Sequence, residues 1–190
     1  MAWRDLPPGG VLGFFDVQPI TVKAYGGRRY TAARRLVLDR RQKTRGRFYL
    51  FLLYDATTGR VRWQFRPGKG AVDVCAFMRR MRRWYPAPRV PAVWIVLDQD
   101  PAHPCRSGAT RHQMRALGLH WISLPKASPD DNPAEAVFSD VQLMVLDHSN
   151  DPDAPTTQRR ISAHLTRRNR RRDRFIRVRY LADRVCTKHR

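Results

Sequence analysis

Val93-Trp94-Ile95-Val96-Leu97-Asp98 is the stretch that decides the fold of this 190-residue chain. Five apolar residues in a row are typical of a short strand that is buried on both faces, as in the middle of a mixed sheet. Asp98 follows directly, so a carboxylate comes where the buried strand meets solvent. The stretch therefore predicts a central strand with an acidic residue at its carboxyl end.

The residues after this strand predict a helix and a second strand. The helix is expected over about residues 107–117, and Gly118 stands where a C-terminal stop belongs. The alternation over residues 119–124 then predicts a strand. Two strands joined by a helix in this way are expected to lie parallel in one sheet.

A rigid loop over residues 125–133 leads from the second strand into another helix. Asn132 is a suitable N-cap, and Pro133 suits the first position of the helix. Glu135 then lies in the first helical turn. The order strand, helix, strand, loop, helix is expected to bring Asp98 and Glu135 to the same end of the sheet.

Glu135 is the only glutamate among the 16 acidic residues of the chain. Its use in a chain that otherwise has only aspartate suggests that the longer side chain matters at this position. The alternative is a capping box, in which the Glu135 carboxylate accepts a hydrogen bond from the backbone N–H of Asn132. On this stretch alone the capping box is the simpler interpretation.

The residues before the central strand predict several extended segments. A strand over residues 11–15 is expected to end near Asp16, and a second extended segment covers residues 28–38. Strands over residues 47–55 and 61–66 are separated by a short turn that contains glycine, which predicts a hairpin. The chain therefore starts as a set of extended segments.

A helix is predicted from about residue 71 to residue 85, because its apolar residues recur at helical spacing. The preceding Gly68-Lys69-Gly70 lacks the full spacing of a phosphate-binding loop. We interpret the arginines of the helix as a solvated face, with phosphate contact as the alternative. These arginines are Arg79, Arg80, Arg82 and Arg83.

The charge of the chain points to a polyanionic partner. The net charge is +21 and the pI is near 11.4, a balance that most often indicates nucleic acid. An anionic membrane surface is the competing partner, but no segment is long enough to span a bilayer and no signal peptide is present. The three cysteines are too few and too scattered for a disulfide framework or a zinc ribbon. A reducing cytoplasm is therefore expected.

The positive charge is concentrated near the C-terminus. Residues 159–190 contain 13 Lys and Arg against two Asp, which is a net charge of +11. We predict a catalytic domain over residues 1–148, a linker over residues 149–155, and a basic, partly helical tail over residues 156–190. The arginines of the tail that we expect to contact DNA are Arg159, Arg160, Arg167, Arg168, Arg170, Arg171, Arg172 and Arg174.

Three carboxylates form the candidate site. Asp16 ends the first predicted strand, Asp98 ends the central strand and Glu135 opens the last helix, so all three are expected at the carboxyl ends of neighbouring strands. Carboxylates this close would repel one another unless cations lay between them. Asp39 and Asp55 are rivals for the place of Asp16, although Asp55 is more simply a cap of the hairpin turn.

Two motifs resemble those of DDE transposases. Residues 96–103, VLDQDPAH, are similar to the motif around the second catalytic Asp of that family. Residues 124–135, LPKASPDDNPAE, resemble its Leu-Pro-x-x-Ser-Pro-x-x-Asn-Pro-x-Glu motif. On these motifs the chain is identified as a member of the mariner-like superfamily of insertion-sequence transposases, over about residues 11–146. The resemblance implies an α/β fold of the ribonuclease H type, with a mixed sheet flanked by helices.

The resemblance also implies the activity of a metal-dependent DNA endonuclease and strand transferase. Asp16, Asp98 and Glu135 would hold two Mg²⁺ ions, for which Mn²⁺ substitutes. A cut strand would expose a 3′-OH that attacks target DNA at TA. His103 and Asn132 would lie at the rim of the site. The alternatives are an inactive remnant that binds DNA or RNA, and a structure-specific nuclease that cuts without joining.

The partner implied by the resemblance is double-stranded DNA, both as element ends and as target, in the bacterial cytoplasm at the nucleoid. A homodimer is compatible with the family. Its members carry helix-turn-helix modules before the catalytic core, whereas 15 residues precede Asp16 here. We therefore expect an N-terminal module that is encoded separately or lost.

Overall fold

The fold is built on one mixed sheet of five strands, in the order β3-β2-β1-β4-β5. The computed structural model describes residues 9–24, 43–97, 107–123, 132–147 and 149–171. Its elements are β1 (Val11–Val22), β2 (Gly46–Asp55), β3 (Arg60–Arg66), α1 (Ala71–Trp84), β4 (Val93–Leu97), α2 (Gly108–Ala116), β5 (Leu119–Ser123), α3 (Pro133–Val141), a π-helical turn (Gln142–Leu146) and α4 (Ala154–Arg171).

The pairing of the strands confirms the predicted mixed sheet. β1 pairs with β2, and β2 with β3, in antiparallel fashion. β4 is parallel to both of its neighbours, β1 and β5. The continuous apolar run of β4 is explained by this position, because a parallel inner strand is covered by helices on both faces. The predicted extended segment over residues 28–38, and Asp39 after it, lie outside the described residues.

The prediction that the first strand ends near Asp16 is wrong. β1 continues to Val22, and its second half pairs with β2 up to the pair of Val22 with Gly46. Pairing with β4 stops earlier, at Phe14 with Val96, in the part of β4 that the structure describes. Pro19 lies in this second half of β1, where it pairs with Tyr49 of β2.

The sheet separates two apolar cores, because successive side chains of a strand point to opposite faces. Leu12, Phe14 and Ile20 of β1 pack with α3 and α4, which cover what we call the α3–α4 face. Val11 and Phe15 pack with α1 and α2, which cover the α1–α2 face. By this alternation Asp16 belongs to the α3–α4 face, together with α3 and its Glu135.

Helix α4 is part of the packed core. Its Ile161 and Leu165 are fully buried against the α3–α4 face. In the range predicted as a linker, Ser149 and Asp151 are buried, and the Thr157 hydroxyl donates to the Asp151 carboxylate at 3.0 Å. The first part of the predicted basic tail is therefore a helix that packs against the sheet. Residues 172–190 lie outside the described ranges.

Candidate active site

Asp16 and Glu135 line the same surface cleft, which has a volume of about 470 Å³. The cleft lies between the second half of β1 and the outer side of α3 with its π-helical turn. The residues that line it are Asp16, Val17, Gln18, Pro19, Glu135, Phe138, Ser139, Gln142, Leu143 and Asp147. The structure therefore brings together the first and third carboxylates of the predicted site.

Asp16 is positioned by the register of the sheet. It pairs with Leu52 of β2 and comes two residues after Phe14, the last residue of β1 that pairs with the described part of β4. Its Oδ1 accepts a hydrogen bond from the backbone N–H of Val17 at 2.6 Å. Asp16 is thus half-buried on an inner strand of the sheet, two residues beyond the described pairing of β1 with β4.

Glu135 is positioned by the cap of α3. Asn132 Oδ1 accepts from the N–H of Ala134 at 3.1 Å, and Pro133 occupies the start of the helix as predicted. Glu135 follows in the first turn, where the helix dipole favours a negative charge. Spacings of three and four residues place Phe138 and Ser139 on the same side of the helix as Glu135.

The other predicted site residues are placed as follows. Asp98 and His103 lie outside the described residues, but β4 ends at Leu97, one position before Asp98, and is the parallel neighbour of β1. Asn132 is buried as the helix cap, and its Nδ2 atom has no hydrogen-bond partner among the described residues. Asn132 is not among the described residues that line the cleft.

The cleft contains a further carboxylate that sequence reasoning missed. Asp147 lines it beside Gln142, whose Nε2 donates to Asp147 Oδ1 at 2.7 Å. Gln142 is seven residues after Glu135, so the helical spacing was a usable signal for it. Asp147 follows the π-helical turn, which has a wider repeat than an α-helix. A projection at the α-helical repeat therefore does not indicate the place of Asp147.

The donor groups of the cleft fit a hard divalent cation. Carboxylate oxygens, such as those of Asp16 and Glu135, are the ligands that Mg²⁺ takes in proteins. In the ranges that the structure describes, no group of three or more His, Cys, Asp or Glu side chains could hold a metal ion. Asp98, the third member of the predicted set, lies outside those ranges.

Asp55, the rival of Asp16, has a structural place. Its side chain accepts from the N–H groups of Thr57 and Thr58, at 2.9 and 3.0 Å, in the hairpin turn. The Tyr85 hydroxyl donates to the other oxygen of Asp55 at 2.8 Å. Burial, with the Asp55 charge beside it, raises the pKa of the Tyr85 hydroxyl. Asp55 is therefore a buried turn cap, as the simpler interpretation of the sequence proposed.

Two of the arginines predicted to contact DNA are held by acidic side chains of the protein itself. Arg160 Nη1 lies 2.6 Å from Asp151 Oδ1, and its Nη2 donates to the Val145 carbonyl. Arg168 Nε lies 4.0 Å from Asp140 Oδ2, and its guanidinium group lies over the Tyr54 ring.

The other predicted DNA contacts are not held in this way, or are not described. Arg167 and Arg170 are exposed, and Arg159 donates to the Thr156 hydroxyl on its own helix. Arg172 and Arg174 lie outside the described residues, and α4 ends at Arg171. Among the helices that the structure describes, none has the length and apolar character needed to cross a bilayer. DNA contact by the arginines of α4 stays a prediction.

Comparisons with known proteins identify the relatives of this chain. The family model of the DDE superfamily endonucleases matches residues 11–158. No curated protein matches the chain. Among solved structures, the fold is similar to the Mos1 strand transfer complex, with 16% identity and a TM-score of 0.63 over 90% of this chain and 50% of that one.

Two further Mos1 structures show the same likeness. The mariner Mos1 paired end complex with Mg has 16% identity and a TM-score of 0.59, over 90% of this chain and 51% of that one. The catalytic domain of Mos1 mariner transposase has 14% identity and a TM-score of 0.58, over 82% of this chain and 69% of that one. The chain thus spans about half the length of the Mos1 chains in the two complexes, and the predicted ribonuclease H-like fold is confirmed.

Proposed function

This chain belongs to the DDE endonuclease superfamily as a mariner-like transposase catalytic domain, and on that premise we propose that it cuts DNA strands and joins the freed 3′-OH to target DNA. The observation that carries the proposal is the shared cleft of Asp16 and Glu135. The two residues come from distant parts of the chain and from different elements. A capping role for Glu135 alone would not require a second carboxylate, such as that of Asp16, in the same cleft.

Asp98 completes the proposed site. Leu97 ends β4 beside β1, and consecutive Cα atoms are about 3.8 Å apart, so the residue after Leu97 stays close to that strand end. The register that pairs Val11 with Val93 and Phe14 with Val96 would pair Asp16 with Asp98 if it continued for two more residues. We propose that Asp16, Asp98 and Glu135 hold two Mg²⁺ ions, or Mn²⁺ in their place.

Two such ions, when bound, lower the pKa of an attacking water and stabilise the leaving oxygen of a phosphodiester. The three carboxylates would hold the ions in the cleft and offset their charge. In the cutting reaction the water oxygen forms a bond to phosphorus and the bond to the 3′ oxygen breaks, which leaves a 3′-OH and a 5′-phosphate. In the joining reaction the oxygen of that 3′-OH forms a bond to a target phosphorus, at TA by analogy with the family, and the bond from this phosphorus to the target's 3′ oxygen breaks, which frees a 3′-OH on the target strand.

DNA is the proposed partner, and the protein would hold it mainly through phosphate contacts. A net charge of +21 favours such contacts at any sequence. Further expectations remain proposals: a homodimer, His103 and Asn132 at the rim of the site, and a place at the nucleoid of a bacterial cytoplasm.

The test is to incubate the purified chain with supercoiled plasmid and a labelled duplex that ends in a 3′-OH. We expect nicked plasmid and labelled joined products with Mg²⁺ or Mn²⁺, and neither with EDTA. Nicking without joined products would favour a structure-specific nuclease. DNA binding with no metal-dependent cutting would mean that the chain is an inactive binder and that the proposal is wrong.

A further inference from the structure

A second cleft, of about 390 Å³, lies at the outer edge of the sheet between β3 and α4. It is separate from the first cleft, because β2 lies between β3 and β1 in the sheet and because α4, rather than α3, packs on β3. We call its lining residues the edge clamp. They are Arg60, Arg62, Thr166, Asn169 and Arg170.

Asn169 fixes the geometry of the edge clamp. Its Oδ1 accepts from the Val61 N–H and its Nδ2 donates to the Val61 carbonyl, both at 2.8 Å. The side-chain amide thus bonds to the edge strand much as a neighbouring strand would, and it ties the last turn of α4 to β3. Arg170, the next residue, lines the same cleft as Arg60 and Arg62.

Arg62 is also held in place. Its guanidinium carbon lies 6.0 Å from the ring centroids of both Trp84 and Tyr85, a distance at which a cation is attracted to an aromatic ring. Its Nε is a buried donor for which the described residues supply no acceptor, while its guanidinium group also interacts with the Tyr85 hydroxyl. Two aromatic side chains of the α1–α2 face therefore orient this guanidinium group.

The charge of the edge clamp is not offset from within. No acidic side chain lines the described cleft, and Asp55, which pairs with Arg60 in the sheet register, is buried and bonded to its turn and to Tyr85. In the same helix, Arg160 and Arg168 do lie beside acidic partners. The arginines that line this cleft therefore have no carboxylate beside them among the described lining residues, and their charge favours an anion from solution.

We propose that the edge clamp binds a phosphate group of the DNA backbone, away from the catalytic cleft. Guanidinium forks and a threonine hydroxyl supply the charged and neutral donors that phosphate oxygens accept from. The inference rests on the proposed function only in taking DNA as the ligand. It needs no metal chemistry, so it stands or falls separately in a metal-free binding assay.

The test compares two charge-matched double variants of the full chain, by fluorescence anisotropy with a labelled duplex in EDTA over a range of salt. The first is R60Q/R170Q, and the control is R83Q/R115Q, which changes exposed arginines of α1 and α2. Two lost phosphate contacts should reduce the salt slope by about 1.8 and the affinity at 0.1 M salt by about 60-fold. Equal losses in both variants would overturn the proposal.

Asn169→Ala tests the positioning without a change of charge. Loss of the link to Val61 should free Arg170 and weaken binding about two- to tenfold, the cost of ordering one long side chain. A thermal melt shows whether the variant is folded. If folded Asn169→Ala binds DNA like the wild type, the clamp geometry is wrong.

A competition arm separates the two sources of phosphate. In this arm, inorganic phosphate and chloride of equal ionic strength compete with DNA for the wild type and for R60Q/R170Q. If phosphate displaces DNA better than chloride only in the wild type, the edge clamp binds free phosphate as well. No such difference, with R60Q/R170Q still weaker than its control, would show that the clamp takes the DNA backbone. If neither DNA nor phosphate distinguishes the variants, the clamp binds another class of anion, such as an acidic protein, and the proposal fails.

Discussion

Helix α4 and the helix pair α1–α2 are both rich in arginine, on opposite faces of the sheet, yet their arginines have different surroundings. On α4, Arg160 and Arg168 lie beside Asp151 and Asp140. On the α1–α2 face, exposed arginines form no ion pair with a described acidic residue. These are Arg79, Arg80, Arg83, Arg111 and Arg115.

The acidic residues explain this difference. On α1 and α2 the only one is Asp73, which pairs with Arg66 of β3. The α3–α4 face carries Glu135, Asp140 and Asp147, and it faces Asp16 of β1. The number of arginines in a segment therefore overstates the positive charge that a ligand can reach, because the fold pairs some of these arginines with acidic residues. The comparison also indicates that carboxylates are concentrated on the face where a cation is proposed to bind.

The largest effect is expected from Glu135→Gln, which should lower DNA nicking about a thousandfold because several kcal/mol of metal-derived stabilisation is lost. DNA binding should remain. Gln at this helix position can still accept a hydrogen bond from the backbone N–H of Asn132. If Glu135 were only a capping residue, the nicking rate would therefore change little. Plasmid nicking rates at saturating Mg²⁺ measure the effect.

The control for Glu135→Gln is Asp140→Asn, which removes the same charge from the same helix. Asp140 faces α4, where its Oδ2 lies 2.7 Å from His164 Nε2. Nicking close to the wild-type rate is expected. Equal losses in both variants would mean that the nicking reaction responds to helix charge and not to a ligand at Glu135.

The next effect concerns whether α4 belongs to the domain. Leu165→Ala should lower the free energy of unfolding by about 2–5 kcal/mol, because the side chain is fully buried. Leu143→Ala, at a side chain 65% exposed, should change it by less than about 0.5 kcal/mol. Urea unfolding followed by tryptophan fluorescence compares the two, and similar small changes would show that α4 is a detachable tail.

The smallest effect separates the two classes of arginine. Arg160→Gln should lower the free energy of unfolding by about 1 kcal/mol, since Asp151, with its side chain only 9% exposed, loses a charged partner. Arg83→Gln, at an exposed site on α1, should leave stability unchanged. Thermal unfolding at low and high salt checks both, and equal stability of the two variants would contradict the distinction drawn here.

Local signals in the sequence predicted the parts of the fold that depend on neighbours in the chain. The apolar run of β4, the cap at Asn132 and the stop at Gly118, which has a φ of +60°, are of this kind. The sequence also predicted that Asp16 and Glu135 lie near one another, and both line one cleft, although Asp16 lies within β1 rather than at its carboxyl end.

Features that depend on tertiary neighbours were not predictable from local patterns. β1 continues past Pro19 because it stays paired with β2 as far as Gly46, and that pairing joins segments that are distant in the sequence. Arg160 finds Asp151 only once α4 packs on the sheet. Asp147 enters the cleft through a π-helical turn, which no helical repeat in the sequence indicates.

We propose that Asp16, Asp98 and Glu135 hold divalent metal ions in one cleft, and anomalous diffraction from crystals of the chain soaked in MnCl₂ tests this directly. We expect two manganese ions about 3.5–4 Å apart, each bound by carboxylate oxygens of these residues, with Glu135 as a ligand. A cleft without manganese, in which the Glu135 carboxylate instead accepts the backbone N–H of Asn132, would contradict it.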